Sequence, residues 1–208
     1  MNAKQLYQAG RLTEAVAALI AELRDNPGDT QRRGFLFELL AFAGDYDRAE
    51  RQLNALPQGE SAMDLWVLVN RAALAAERTR QQMFARREYP PVAETEPRAV
   101  TGTINGRPFE SLEDAYARFG PKLEMLVAGA YMWLPLEHVA ALNIEPPRRL
   151  LDLLWIPAQV RTGPAFQGRE LGEVLLPALY PLSWRHPDEA VRLGQATVWE
   201  EQIGRAHV

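Results

Sequence analysis

Apolar residues in the first ninety positions recur at helical spacing. Ala15, Val16, Leu19, Ile20 and Leu23 share one face of a helix for which Thr13 is the expected N-cap. Asn26-Pro27-Gly28-Asp29 must end it, because proline has no amide to continue the ladder. Thr30 to Ala43 forms the next apolar stripe, with Phe35, Leu36, Leu39, Leu40 and Ala43 reinforced by Phe37 and Phe42. A turn at Gly44-Asp45 leads into a returning helix over Asp47 to Leu56, closed by Pro57-Gln58-Gly59. Ser61 opens a third run, expected to reach about Arg87, with Met63, Trp66, Val67, Val69, Leu74, Met83 and Phe84 as its apolar positions.

These stripes repeat. Gly10 and Gly44 lie 34 positions apart, as do Leu6 and Leu40, Ala15 and Ala49, and Leu19 and Leu53. That is the period of the tetratricopeptide helix–turn–helix unit. The third turn should fall near residue 78, but Glu77-Arg78-Thr79-Arg80 offers no glycine. The third unit is therefore degenerate and reads as one long capping helix.

Beyond it the pattern changes. Residues 88–100, EYPPVAETEPRAV, hold three prolines and form the expected linker. Val100 to Phe109, with Asn105-Gly106 at its centre, predicts a hairpin closed by a type I′ turn. Ser111 begins a short helix ending near Phe119, and Lys122–Ala128 and Ala130–Leu134 pair around Gly129. Pro135–Ala141 reads as a short helix, Asn143–Pro147 as extended, and Arg148–Trp155 fits either helix or strand. Trp155–Arg161, Gly172–Leu176 and Ala196–Trp199 are strand candidates, with a helical turn over Asp188–Leu193. The expected architecture is tetratricopeptide-like α-helical over 1–87, a linker over 88–100, and a small α+β domain with short antiparallel strands over 101–208.

Composition narrows the function. With 47% hydrophobic and 24% charged residues, the 208-residue chain is ordinary globular material. It has no cysteine, no signal-peptide pattern at its start, and no apolar run long enough to cross a bilayer, which predicts a cytoplasmic protein without a membrane partner. Residues 1–90 carry 12 basic and 12 acidic groups, and the net charge of −4 falls on the rest. Neither half offers the basic surface that nucleic-acid binding needs.

Candidate chemistry is sparse. His138, His186 and His207 have no ligand partners at metal-binding spacing. Glu124, Glu137 and Asp152 are arbitrarily spaced, so structural salt bridges outweigh acid–base roles. No nucleophile elbow, phosphate loop or dinucleotide fingerprint occurs. The expectation is no catalytic residues, no metal and no cofactor. An enzyme in the second half would need Glu124, Asp152 and His186 to converge.

Aromatic residues are the richer signal. Trp133, Trp155, Trp184 and Trp199, with Tyr131, Tyr180 and nearby prolines, crowd the second half. One reading is core packing in a small domain. The functional reading is a groove for an apolar peptide helix, anchored by Trp66, Tyr131, Trp133, Trp155 and Tyr180. The seam between residues 66–87 and 129–158 is where a partner is expected.

In this half the chain resembles the ImpE/TagJ (SciE-type) family, accessory proteins of bacterial type VI secretion. The resemblance rests on FLFELLAFAGDYDRAERQL (35–53), FGPKLE (119–124), GAYMWLP (129–135), Pro146-Pro147 with LLDLLWIPA (150–158), PALYP (177–181) with Ser183, and Leu193-Gly194 with Thr197 and Trp199. It implies a non-enzymatic adaptor that captures a helical segment of the small contractile-sheath subunit and is linked to the ClpV-type AAA+ ATPase. RTGPAFQGRELGE (161–173) is loop-like and departs from the family pattern. The alternative is a generic tetratricopeptide-like scaffold in another cytoplasmic assembly.

Overall fold

The structure, a computed structural model, describes residues 1–57, 59, 61–89, 100–112, 120–166 and 170–198. Its first half is two helical hairpins. Helices α1 (Ala3–Gln8) and α2 (Leu12–Asp25) turn at Gly10, and α3 (Thr30–Phe42) and α4 (Tyr46–Asn54) turn at Gly44. Both glycines hold positive φ, +73° and +71°, which a side chain would oppose. The 34-residue spacing is thus a repeat of one turn conformation. Asp29 and Asp45 cap α3 and α4, accepting from the amides of Arg32 (2.9 Å) and Arg48 (3.3 Å). Thr13 is not a cap. Helix α2 starts one residue earlier with no side-chain cap of its own, and a residue from the far end of the chain satisfies its first turn.

Helix α5 (Ser61–Arg86) runs unbroken for 26 residues through the position of the missing third turn. Arg78, standing where that glycine would be, instead reaches back to Asp47 (2.8 Å) and Glu50 (2.9 Å) on α4. The expected long capping helix is present.

The second half opens with a separate hairpin, β1 (Gly102–Ile104) and β2 (Arg107–Phe109), turned by Asn105 and Gly106 at φ +51° and +77°. A five-stranded antiparallel sheet follows: β3 (Lys122–Val127), β4 (Ala130–Pro135), β5 (Val139–Ile144), β6 (Trp155–Thr162) and β7 (Glu170–Pro177), in the order β4-β3-β7-β6-β5. Three expectations change here. Pro135–Ala141 is not a helix: one 3₁₀ turn at Leu136–His138 leads directly into β5. Part of the loop expected over 161–173 belongs to β6 and β7, whose pairing continues to Arg161 opposite Glu170 past a bulge. Ala196–Val198 is not a strand: the Ala196 amide donates to the carbonyl of Ala190 (3.2 Å), and Trp199 lies outside the described residues. Leu150–Leu153 resolves as a 3₁₀ turn. The expected linker lies mostly, and the helix after Ser111 almost wholly, outside the described residues.

The core runs through both halves. One cluster joins Leu12, Leu19, Phe37, Leu40, Phe42, Leu53 and Leu74 to Leu126, Leu151, Leu154, Trp155 and Leu193. A second, on the other face of the sheet, holds Met125, Leu134, Ala158, Val160, Val174 and Leu176. The strand alternation of β6 explains the split. Trp155 points at the helices, while Ala158, Val160 and Thr162 point away.

The last described stretch straps the repeats. Trp184 lies so close over Gly44 that a Cβ there would sit 2.5 Å from the indole Cδ2. Helix α6 (Glu189–Arg192) packs by α2, and the Glu189 carboxylate accepts from the amide of Thr13 (3.2 Å) and from its hydroxyl. A carboxylate at a helix N-terminus meets free amides and the positive end of the dipole. Gln195 donates to the carbonyl of Tyr7 (3.2 Å), beside the first turn.

Candidate functional site

Two regions of the expected seam behave differently. Over its second half α5 is closed against the sheet by buried polar groups. Arg80, with a side chain only 4% exposed, donates to Glu124 (2.5 Å), Glu77 (3.2 Å) and the carbonyl of Leu179 (3.1 Å). Glu77 also accepts from Gln81 (2.5 Å) and from the Trp155 indole (3.2 Å). Gln81 in turn accepts from the amide of Leu182 (2.8 Å) and the Trp184 indole (3.2 Å). Burial alone would lower the Arg80 guanidinium, but Glu77 and Glu124 outweigh it and hold the group above its ordinary value. Tyr131 donates to Glu124 (3.0 Å) and accepts from the Trp133 indole. Burial, then the Glu124 charge, push the Tyr131 phenol well above its usual range, so it stays a neutral donor.

Over its first half α5 stands open. A cleft of about 500 Å³ lies between Ala62, Leu65, Trp66, Val69 and Asn70 on one side and the sheet face on the other. Leu65 is 61% exposed and Val69 45%. Leu151, Trp155 and Leu175 line it too, as do Pro157, Gln159, Glu173 and Asn143 from the sheet and Glu145, Pro146, Arg148, Arg149 and Asp152 from the loop after β5. Arg148 pairs with Glu145 (2.5 Å), and Asp152 accepts from the amides of Arg148 (2.7 Å) and Arg149 (2.9 Å). Glu38 of α3 lies near Arg149 and Asp152. Burial raises its carboxyl to about 7, with Arg149 opposing and Asp152 adding to the rise.

The five aromatic candidates therefore separate. Trp66 lines the large cleft and packs edge-on against Phe37, with ring centres 5.5 Å apart. Trp155 also meets that cleft, but at 2% exposure its ring is committed to the core and to Glu77. It cannot anchor a partner from the surface. Trp133 and Tyr180 line a smaller hollow of about 240 Å³ with Arg80, Phe84 and Lys122, whose ammonium lies 5.2 Å from the Trp133 ring centre. Tyr131 stands beside that hollow, within the buried network.

Sequence reasoning passed over Glu77, Arg80 and Gln81. The signal was there: Glu77 and Gln81 fall at i+3 and i+7 from Leu74, and Arg80 at i+7 from Ala73, with polar groups where apolar ones belong. The acid–base trio does not assemble. Glu124 serves Arg80 and Tyr131, Asp152 caps a turn, and the His186 ring accepts from the amide of Asp188 (3.1 Å). Among the described residues no group of three or more His, Asp or Glu is placed to hold a metal, and no helix is long and apolar enough to cross a membrane.

Two helical repeats ending in a long helix, strapped to an antiparallel sheet with an open apolar cleft, define a protein-interaction scaffold. A tetratricopeptide-repeat family model matches residues 6–61, and the model described as ImpE protein matches residues 106–208. The type VI secretion system accessory component TagJ of Pseudomonas aeruginosa is 33% identical, over 96% of this chain and 81% of its own. The chain belongs to the ImpE/TagJ family of type VI secretion accessory proteins. A crystal structure of a protein from Vibrio parahaemolyticus shares the fold, with a TM-score of 0.75 at 22% identity over 96% of this chain and 85% of that one.

Proposed function

We propose that this protein is a non-enzymatic adaptor of the type VI secretion system. In the cytoplasm it receives a helical segment of the small contractile-sheath subunit and links the sheath to recycling by the ClpV-type ATPase. The supporting observation is the α5 cleft, where Leu65 and Val69 stand exposed beside Trp66 with no helix of this chain upon them among the described residues. An exposed apolar ridge on a monomer marks an interaction site. In this reading residues 1–87 supply the ridge, 88–100 link, and 101–208 supply the opposing wall.

The test is co-purification of the full chain with the small sheath subunit from the same bacterium. The expected result is a stable complex, weakened at least about tenfold by Leu65→Asp. Leu65 is mostly exposed, so this change leaves the thermal unfolding of the free protein nearly unchanged. Absence of any complex with folded wild-type protein sinks the reading and favours a general repeat scaffold in another assembly.

A further inference from the structure

Among the described residues, every sheet edge but one is blunted. Strands β1 and β2 are three residues each, and β2 contains Pro108. Strand β4 ends in Pro135, and its Tyr131 and Trp133 are tied to Glu124 beneath α5. Short strands and prolines are how sheets avoid unwanted pairing. Strand β5 has neither defence. It pairs with β6 on one side and, among the described residues, with no strand on the other. From Val139 to Ile144 it carries no proline, glycine or charge. Ala140 to Ile144 are all exposed, Leu142 by 37% and Ile144 by 47%. A row of unpaired amides and carbonyls flanked by apolar side chains is a template for another strand.

The pattern of β5 suits a second copy of itself. Leu142 and Ile144 lie opposite Val160 and Ala158, on the face of the sheet turned away from the helices, and Asn143 lies opposite Gln159 on the helix face. Opposed residues of an antiparallel pair share a face, so a two-fold axis normal to the sheet must match like faces. With Asn143 on the axis, Leu142 meets the second copy's Ile144, and Ile144 meets its Leu142. The two exposed apolar residues cover each other. The two Asn143 amides, each donor and acceptor, satisfy one another. This register uses Ala141 to Glu145 and avoids the bulge between Val139 and Ala141. Glu145 precedes Pro146, which favours extended backbone there. The charges also fit. Ala141 opposes the second copy's Glu145, and next to Ala141 on β6 stands Arg161, exposed and without an ion pair among the described residues. The small Ala141 leaves that carboxylate and guanidinium room to approach.

We infer that β5 is a self-association edge: two copies of this chain join antiparallel across a two-fold axis at Asn143, and two five-stranded sheets become one. The inference goes beyond the adaptor reading and does not depend on it. The joined edge, Ala141 to Glu145, is about 17 Å long. An edge of that size falls below the roughly 1,200 Å² buried in stable complexes, so the dimer is weak and concentration-dependent. The far edge, β4, is blunted, so pairing stops at two copies and does not run on into a fibre. Asn143 also lines the α5 cleft, so each cleft borders the axis.

The test is sedimentation velocity of the full chain from about 5 to about 500 μM, where a reversible dimer is expected, half-formed between about 10 and about 300 μM. Asn143 is exposed, so Asn143→Lys and Asn143→Asp should keep the wild-type melting temperature. Like charges on the axis should weaken dimerisation of each variant at least about tenfold, and an equal mixture of the two should dimerise again. The chain has no cysteine, so Asn143→Cys supplies one thiol per copy, with Cα atoms about 4.5–5.5 Å apart and within disulfide reach. It should cross-link under mild oxidation, and Met132→Cys on β4 should not. A chain that stays monomeric at about 500 μM overturns the inference and leaves the edge to an extended segment of another protein. So does a dimer that survives both charge variants, a mixture that fails to re-form it, or equal cross-linking from Met132→Cys. None of these results touches the adaptor reading, which stands or falls on the sheath subunit.

Discussion

Gly44 shows how much one atom can matter here. Its φ of +71° would strain any side chain, and a Cβ would lie 2.5 to 2.8 Å from three atoms of the Trp184 indole. Gly44→Ala should lose on the order of 2–4 kcal/mol in urea unfolding, from strain and displacement of the strap together. Gly28 is the control: it has ordinary φ and nothing within 4 Å, so Gly28→Ala should stay within about 0.5 kcal/mol or stabilise. The turn role of Gly44 was legible from its 34-residue echo of Gly10. Its second role was not, since nothing local announces an indole that arrives 140 residues later. Glu38 makes a different prediction. Its carboxyl is raised from 4.5 to about 7, so the folded chain holds a proton that the unfolded chain has lost. Stability is therefore greatest below about pH 4.5 as far as this group is concerned, and declines as pH rises to about 7. Glu38→Gln removes that decline. The variant should exceed wild type by on the order of 2 kcal/mol at pH 8 and by little at pH 4.5, measured by chemical denaturation.

At the level of elements, α5 does two jobs with one sequence. Its length and its capping position follow from the missing glycine near residue 78. Its polar stripe continues the face of Ala73 and Leu74, but what that stripe meets does not follow from periodicity, because Glu77 and Arg80 look like solvated charges until the sheet is placed over them. Burying them is tolerable because each buried polar atom has a partner: among the described residues no buried side-chain nitrogen or oxygen lacks one. Arg80→Met leaves Glu77 buried without its cation and should cost about 3–5 kcal/mol in equilibrium unfolding. The start of α2 is more modestly placed: Glu189→Ala removes an external cap and should cost about 1 kcal/mol. Strands were legible where alternation was strong, as in β3, β4 and β6. The 3₁₀ turn before β5 reads as a helix in the sequence because Pro135 to Ala141 is short, and Leu136 with Val139 to Ala141 around the polar pair Glu137-His138 fits helix and strand alike.

On the scale of the whole molecule, the two-part organisation seen in the sequence is joined by a core that takes Leu126, Trp155 and Leu193 into the helical cluster. Residues 1–89 expressed alone should melt well below the full chain, or aggregate, because Glu77, Arg80 and the faces under Trp155 and Trp184 lose their partners. Retention of the full-length melting temperature by that fragment would show the sheet to be dispensable for stability. The strap has one more consequence, for how the chain is made. Helices α1 to α4 leave the ribosome long before Trp184, Glu189 and Gln195 are synthesised. Contacts spanning 188 residues, such as Gln195 with Tyr7, close only after the whole sheet has emerged. Both repeat turns are thus left uncovered while the sheet is being made, so emergence of the strap, rather than appearance of the repeats, sets the moment at which the repeat half becomes native.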